Sequence, residues 1–196
     1  MGKIIFTLLT SISIAFGQNE VEIVNNYSLK KFDAIFNEVV YISVRNQKMY
    51  YIKNDVVINS YDVSTAKNGI GNQEGSNKTP VGMHSVKEKH GSNIPLNGLF
   101  KNRKYYGQIA EIITDTTSSK TDDITTRIMW LTGEETNINK DKNIDSFNRY
   151  IYIHGTSEEG KIGTPASHGC IRMRNIDVLN LYNKIRVGTK VLILDK

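Results

Sequence analysis

The spacing of apolar positions changes twice along this chain. Residues 20–38 (EVEIVNNYSLKKFDAIFNE) carry apolar side chains at Val24, Tyr27, Phe32, Ile35 and Phe36, which predicts a short N-terminal helix with one apolar stripe. From residue 39 the helical period gives way to strand signals. Residues 39–44, 49–52 and 56–64 are rich in β-branched and aromatic residues, and Asn46-Gln47 and Asn54-Asp55 punctuate them, so a β-meander is expected. Residues 65–79 (TAKNGIGNQEGSNKT) are polar and glycine-rich and predict a loop. Further strands are expected at 83–89, near 108–114, at 126–131 and at 150–153, the last delivering His154 at its end. Residues 133–148 are mostly polar and predict a mobile loop.

The C-terminal part carries the clearest helix signal. Asn175 is a good N-cap, Asp177 sits where the helix dipole favours an anion, and Val178, Leu179, Tyr182 and Ile185 share one face. Gly188 stops the helix and residues 191–194 make a closing strand. These elements predict a mainly β fold, a β-sandwich or partly closed barrel, with one C-terminal-region helix and a short N-terminal helix.

The first residues read as a secretory signal. Met1-Gly2-Lys3 is short and basic, residues 4–16 are mostly apolar, and Ala15 and Gly17 put small residues where a signal peptidase reads. The apolar run is shorter than the roughly 20 residues needed to span a bilayer. Cleavage is expected before Gln18, giving residues 1–17 as signal, 18–38 as a helical extension and 39–196 as the main domain. Hydrophobic residues at 39% and charged residues at 23% exclude a disordered, collagen-like or multi-pass membrane protein. The net charge of +5 favours a polyanion, an anionic membrane or an acidic polymer without choosing among them.

Export changes the meaning of the single cysteine. No intrachain disulfide is possible, and a lone thiol in an oxidising compartment points to chemistry. Cys170 stands in Ser167-His168-Gly169-Cys170-Ile171-Arg172-Met173. A glycine beside a nucleophile lets a carbonyl approach closely, and backbone N–H groups in such a turn can face a developing oxyanion. The thiol needs a base or a cation to be ionised near neutral pH. His168 shares the side of Cys170 if the segment is extended. His154 can fold back across the loop 155–167. Either can reach the sulfur, and the strand end favours His154 as the more firmly held base. A zinc site of His154, His168 and Cys170 with His84 as fourth ligand is the rival, with a spacing unlike the common zinc patterns. His84 and His90 otherwise read as surface or loop residues.

His154-Gly155, a loop, and the run from Ser167 to Met173, with Asn175 and Asp177 beyond, resemble the signature of the L,D-transpeptidase catalytic domain family. Val63-Ser64-Thr65 and Thr79-Pro80-Val81-Gly82 also resemble that family's pattern, and the likeness covers roughly residues 39–194. The resemblance implies Cys170 as nucleophile and His154 as general base. It implies that Ser167, His168, Gly169, Arg172 and Gly155 line the substrate or oxyanion site, with Arg172 near an anionic donor group. A backbone carbonyl is expected to orient His154, because Gly155 has no side chain. The implied reaction attacks a peptidoglycan tetrapeptide stem through a cysteine thioester, releases D-alanine and crosslinks diamino acids, with no cofactor and no metal. Water as acceptor would give an L,D-carboxypeptidase, and a silent site a wall-binding module. The implied partners are donor and acceptor stem peptides in the periplasm or cell wall, with no nucleic acid and membrane contact only during export. Lys101 to Tyr106 is then a solvated loop, Trp130, Tyr150 and Tyr152 are core or groove wall, and 91–125 and 133–148 are candidate lids.

Overall fold

The computed structural model describes residues 13–196. Residues 1–12 of the expected signal segment lie outside the described residues, and the rest of it opens α1 (Ser13–Phe32), which runs unbroken past Gly17. The helix ends at Phe32 because Asp33 turns left-handed (φ 50°), with its N–H on the Leu29 carbonyl at 3.1 Å. The apolar stripe is therefore shorter than expected: Ile35 falls beyond the helix and is half exposed.

Ten strands follow: β1 (Glu38–Ser43), β2 (Lys48–Lys53), β3 (Val56–Asp62), β4 (Gly82–His90), β5 (Gly98–Lys101), β6 (Lys104–Ile109), β7 (Ile124–Gly133), β8 (Tyr152–Thr156), β9 (Ile171–Met173) and β10 (Lys190–Leu194). Helix α2 (Asn175–Lys184) separates the last two strands. They form one mixed sheet in the order β3-β2-β1-β10-β4-β7-β5-β6, with β8 paired to β7 and β9 paired to β8. The fold is mainly β as expected, but the sheet is open. β7 is the branch point, and neither β9 nor β6 pairs with β3 to close a barrel.

Two layers cover the centre of the sheet. Val40 and Ile42 of β1 face the main core, with Met129, Leu131, Ile153, Ile171 and Met173 and the α2 residues Val178, Leu181 and Tyr182. Val39 and Tyr41 face the other way, where Val24 of α1 packs with Ile52, Met83 and Leu192. This is why residues 39–42 read as an unbroken apolar run.

The segment after β7 is fixed in place. Buried Glu135 accepts the Tyr27 hydroxyl (2.6 Å) and the Met83 N–H (2.7 Å), and Asn139 Nδ2 donates to the Val81 and Met83 carbonyls at 3.0 Å. Its polar residues, expected to be mobile, instead satisfy β4 and α1. His84, expected at the surface, is fully buried between the Gly82 carbonyl (3.0 Å from Nδ1) and Ser146 Oγ (2.9 Å from Nε2). Burial pulls its pKa down to about 4. Native His84 thus stays neutral between about pH 4 and 6.5 while the unfolded chain binds a proton, and stability falls as pH drops through that window. The full effect is about 3 kcal/mol. Urea unfolding at pH 7 and pH 4.5 checks this: the acid loss is expected to shrink in His84→Gln, and an equal loss would reject the assignment. Among the described residues no helix is long and apolar enough to cross a membrane.

Candidate active site

The parallel β8/β9 pair builds the site. Its register is Ile153↔Ile171, His154↔Arg172 and Gly155↔Met173. Strand alternation sends Ile153, Ile171 and Met173 into the core and turns His154 and Arg172 to the opposite face. Tyr152 shares that face, and its N–H points at Cys170 Sγ, 3.3 Å away, at the entry to β9.

Two upstream segments brace the nucleophile turn. Ser64 and Arg172 exchange backbone hydrogen bonds at 2.9 Å each way. Thr79 Oγ1 donates to the Gly169 carbonyl (3.0 Å) and accepts from the Ala66 N–H (2.9 Å). Ser167 Oγ donates to the Cys170 carbonyl (2.6 Å) and accepts from the Gly169 N–H (3.2 Å). Gly169 stands at φ +133°, a backbone that L side chains rarely adopt. That bend ends any extended run from 168 to 170. It turns the largely exposed His168 ring to Asp122 Oδ2 (2.8 Å) rather than to the sulfur.

His154 is 2% exposed, and its Nδ1 lies 2.7 Å from the Gly155 carbonyl oxygen. A carbonyl only accepts, so Nδ1 carries the proton and Nε2 is the basic nitrogen. Burial lowers the His154 pKa, with Arg172 adding to the effect, while Asp122 and the Gly155 carbonyl oppose it. Cys170 is half-buried, and desolvation pushes its thiol from 9.0 up to about 12, with Asp122 adding and the Tyr152 N–H, Arg172 and Arg149 opposing. The S–H donates to the Tyr150 carbonyl at 3.3 Å. Both shifts favour the neutral forms, thiol and imidazole, whereas the sequence alone suggests a sulfur ionised by a neighbouring imidazole.

Gly155 and Ser167, expected to line the site, are buried: Gly155 offers its backbone carbonyl to His154, and the Ser167 hydroxyl ties the nucleophile turn. A Cβ on Gly155 would lie 2.6 Å from Asn175 Oδ1 and 2.8 Å from the Thr125 carbonyl. Asn175 is not the N-cap: Arg174 holds that position without a side-chain cap hydrogen bond, and Asn175 opens α2 as a buried post. Its Oδ1 accepts from Thr125 Oγ1 (2.6 Å) and from Thr126 Oγ1, and its Nδ2 donates to the Thr156 carbonyl (2.9 Å) and Glu159 Oε1 (2.7 Å). Arg172 is 2% exposed, with Nη1 on Glu158 Oε2 (2.8 Å) and Nη2 on Asp122 Oδ1 (2.6 Å). The four residues of the zinc reading do not converge. His84, His154 and His168 each point at a different partner, and among the described residues no group of three His, Cys, Asp or Glu could hold a metal.

Three residues around the candidate site were not visible in the sequence. Asp122 meets Arg172 and His168 from 46 or more residues away. Arg149 donates to the Lys78 (2.7 Å) and Gly71 (3.2 Å) carbonyls and faces Cys170 electrostatically. Arg103 tops the β5–β6 turn, so residues 101–106 are a hairpin rather than a loop. Its guanidinium lies 4.6 Å from the Trp130 ring centre, and Nη1 donates to Tyr152 Oη at 3.3 Å. Only the reach of these long side chains across strands brings them in, and no local pattern marks it.

The protonated thiol sets a pH dependence. Alkylation of the free protein by iodoacetamide is expected to rise about tenfold per unit from pH 6 to 9 without a neutral plateau. Arg149→Met, which removes a cation that favours the thiolate, is expected to slow it about threefold at each pH. A plateau below pH 7 would show a pre-formed ion pair.

A model of the L,D-transpeptidase catalytic domain (YkuD) matches residues 37–193. "Putative L,D-transpeptidase YqjB" of Bacillus subtilis is 54% identical over 47 residues, covering 24% of this chain and 27% of that protein. "Probable L,D-transpeptidase YbiS" of Escherichia coli K12 is 46% identical over 48 residues, covering 24% of this chain and 16% of that protein. These matches thus span a quarter or less of either side, or little more. The L,D-transpeptidase (residues 123–326) of Xylanimonas cellulosilytica superposes with TM-score 0.52 at 19% identity, over 82% of this chain and 62% of that one. An L,D-transpeptidase from Mycobacterium smegmatis gives 0.50 at 14% identity, over 81% and 58%. These two likenesses speak to the fold.

Proposed function

The chain belongs to the YkuD L,D-transpeptidase catalytic domain family, and from that premise we propose that it is a cysteine acyltransferase acting on peptidoglycan stem peptides. The observation that carries the reading is the β8/β9 pair, which sets Cys170 at one strand start and the backbone-oriented His154 on the same face.

The steps follow from the protonation states. The Cys170 S–H leaves the Tyr150 carbonyl and gives its proton to His154 Nε2 as sulfur attacks the carbonyl before the terminal D-alanine of a tetrapeptide stem. The Gly155 carbonyl holds Nδ1–H and steadies the imidazolium that forms. The oxyanion meets the N–H groups of the Gly169–Cys170 turn. His154 returns the proton to the departing amine as the C–N bond breaks, leaving a thioester and free D-alanine. An amine of a second stem, from a diamino acid, attacks that thioester, loses its proton to His154 and releases the thiol. Water in its place gives an L,D-carboxypeptidase. No cofactor enters these steps. Substrate in the wall requires export, which the basic start and apolar run of residues 1–17 support.

The test is purified protein with disaccharide-tetrapeptide, followed by mass spectrometry. The expected product is a dimer lighter than two substrates by one D-alanine. Release of D-alanine without a dimer would assign the carboxypeptidase, and neither product would leave a wall-binding module.

A further inference from the structure

The turn that leads into β8 holds a residue that its backbone does not favour. Arg149 N–H donates to the Asp145 carbonyl (2.9 Å), which makes one helical turn. Ile151 N–H then donates to the Ser146 carbonyl (3.1 Å) and Tyr150 N–H to the Phe147 carbonyl (3.0 Å), the pair of bonds that ends a helix in a Schellman motif. Tyr150 takes the left-handed position of that motif, at φ 57°. A side chain crowds its own backbone there, so glycine or asparagine is the usual choice. Among the described residues Tyr150 is the one aromatic residue held left-handed. Its neighbours pin it. The Trp130 ring stacks on Phe147 at 4.0 Å and on Tyr150 at 5.4 Å, and Trp130 Nε1 donates to the Phe147 carbonyl at 3.0 Å, the oxygen that Tyr150 N–H also uses. Arg149 is tied to the Lys78 and Gly71 carbonyls, and Ser146 to His84.

Burial of the ring does not account for the strain, since Tyr150 is 54% exposed. The conformation instead sets the direction of a carbonyl. The Tyr150 oxygen accepts the Cys170 S–H at 3.3 Å, and two residues on, Tyr152 N–H meets the same sulfur at 3.3 Å. An extended or right-handed backbone at 150 would point that oxygen elsewhere. We propose that Tyr150 is a positioning residue for the nucleophile: its left-handed backbone aims the Cys170 thiol at the Tyr150 carbonyl and so sets how readily the sulfur reacts in the free protein. A hydrogen bond made by S–H favours the protonated form, and it must break before the sulfur attacks. Position 150 is thus a brake on the resting thiol, coded in backbone conformation rather than in a side-chain group. That the sulfur is a nucleophile toward stem peptides rests on the function proposed above. Its hydrogen bond to Tyr150 does not.

The experiment sorts substitutions at 150 by backbone preference. Glycine and asparagine accept the left-handed conformation, and β-branched valine does not. Cys170 is the sole cysteine, so the Raman S–H stretch of the folded protein reports this thiol alone. Wild type, Tyr150→Gly and Tyr150→Asn are expected to share a band on the hydrogen-bonded side, and Tyr150→Val to move it to the position of a free thiol. Alkylation by iodoacetamide is the second readout: the thiol gives its proton to solvent, sulfur bonds the methylene carbon and iodide leaves. Its rate is expected to stay within about twofold of wild type in Tyr150→Gly and Tyr150→Asn and to rise about fivefold in Tyr150→Val, the factor that one ordinary hydrogen bond is worth. Near-UV circular dichroism of Trp130, the single tryptophan, shows that each variant keeps the turn. A wild-type band at the free-thiol position would overturn the proposal, even if Tyr150→Val did not fold. So would equal shifts in Tyr150→Gly and Tyr150→Val, because the ring and not the backbone would then govern the sulfur. Neither readout uses substrate, so the crosslinking assay on tetrapeptide tests the transpeptidase function separately.

Discussion

In Cys170→Ala, exposure to a carbapenem, whose strained ring carbonyl acylates nucleophiles, is expected to leave no mass adduct, and crosslinking of tetrapeptide to fall at least about 10³-fold. Cys170 is the sole cysteine of the chain. The nearest hydroxyl in the turn, Ser167 Oγ, is committed to the Cys170 carbonyl and the Gly169 N–H. No neighbour can therefore replace the sulfur. The fold should survive, because the thiol makes only two long hydrogen bonds, both to the backbone of β8 and its approach, and packs at the edge of the Ile128, Trp130 and Tyr152 cluster, where alanine keeps part of the contact. The companion His154→Gln keeps a group able to donate to the Gly155 carbonyl but has no basic nitrogen. Its thiol should still be alkylated, while acyl transfer falls by about 10²- to 10⁴-fold. A carbapenem adduct that persists in Cys170→Ala would remove the nucleophile assignment, whatever the family.

Asn175→Ala is expected to cost about 4 kcal/mol and to lower the melting temperature by about 8–16 °C. The side chain is buried and serves four partners on β7, β8 and the turn after it. Its removal takes a partner from the buried Thr125 and Thr126 hydroxyls and from the Thr156 carbonyl, while Glu159 Oε1 keeps only the Asn175 backbone N–H. Because Gly155 packs directly on Asn175, the Gly155 carbonyl loses its seat and His154 loses its orientation. Activity should fall even at temperatures where the variant is folded. Calorimetry with a parallel rate measurement separates the two effects. A melting point within about 2 °C of wild type would show that Asn175 is not the post described above.

The secondary-structure periods and the His-to-Cys run were both legible before any coordinates. The strands of the meander, the C-terminal helix and the closing strand fall where β-branched runs and turn residues put them. What misled was polarity read without partners. Glu135, Asn139 and His84 look like surface residues because their type is usually solvated, yet each is buried with its hydrogen bonds made. Asn175 carries a capping side chain by type, but Arg174 takes the N-cap position and Asn175 turns inward. Short β5 and β9 carry too few residues to set a period.

The residues alone determined which chemistry was possible: one thiol, two histidines near it in the chain, glycines where backbone must approach, and apolar runs long enough for a sheet. Local forces act over a few residues, so they reach that far and stop. Which face each histidine takes was decided by the parallel register of β8 and β9, which puts His154 level with Arg172, and by the bend at Gly169, beside which His168 meets Asp122. Which charges surround the thiol was decided by Asp122 and Arg149, which meet it only because the sheet brings distant loops to one edge. The protonation of the pair depends on how much water and how many charges remain around it, and burial is a property of the assembled fold.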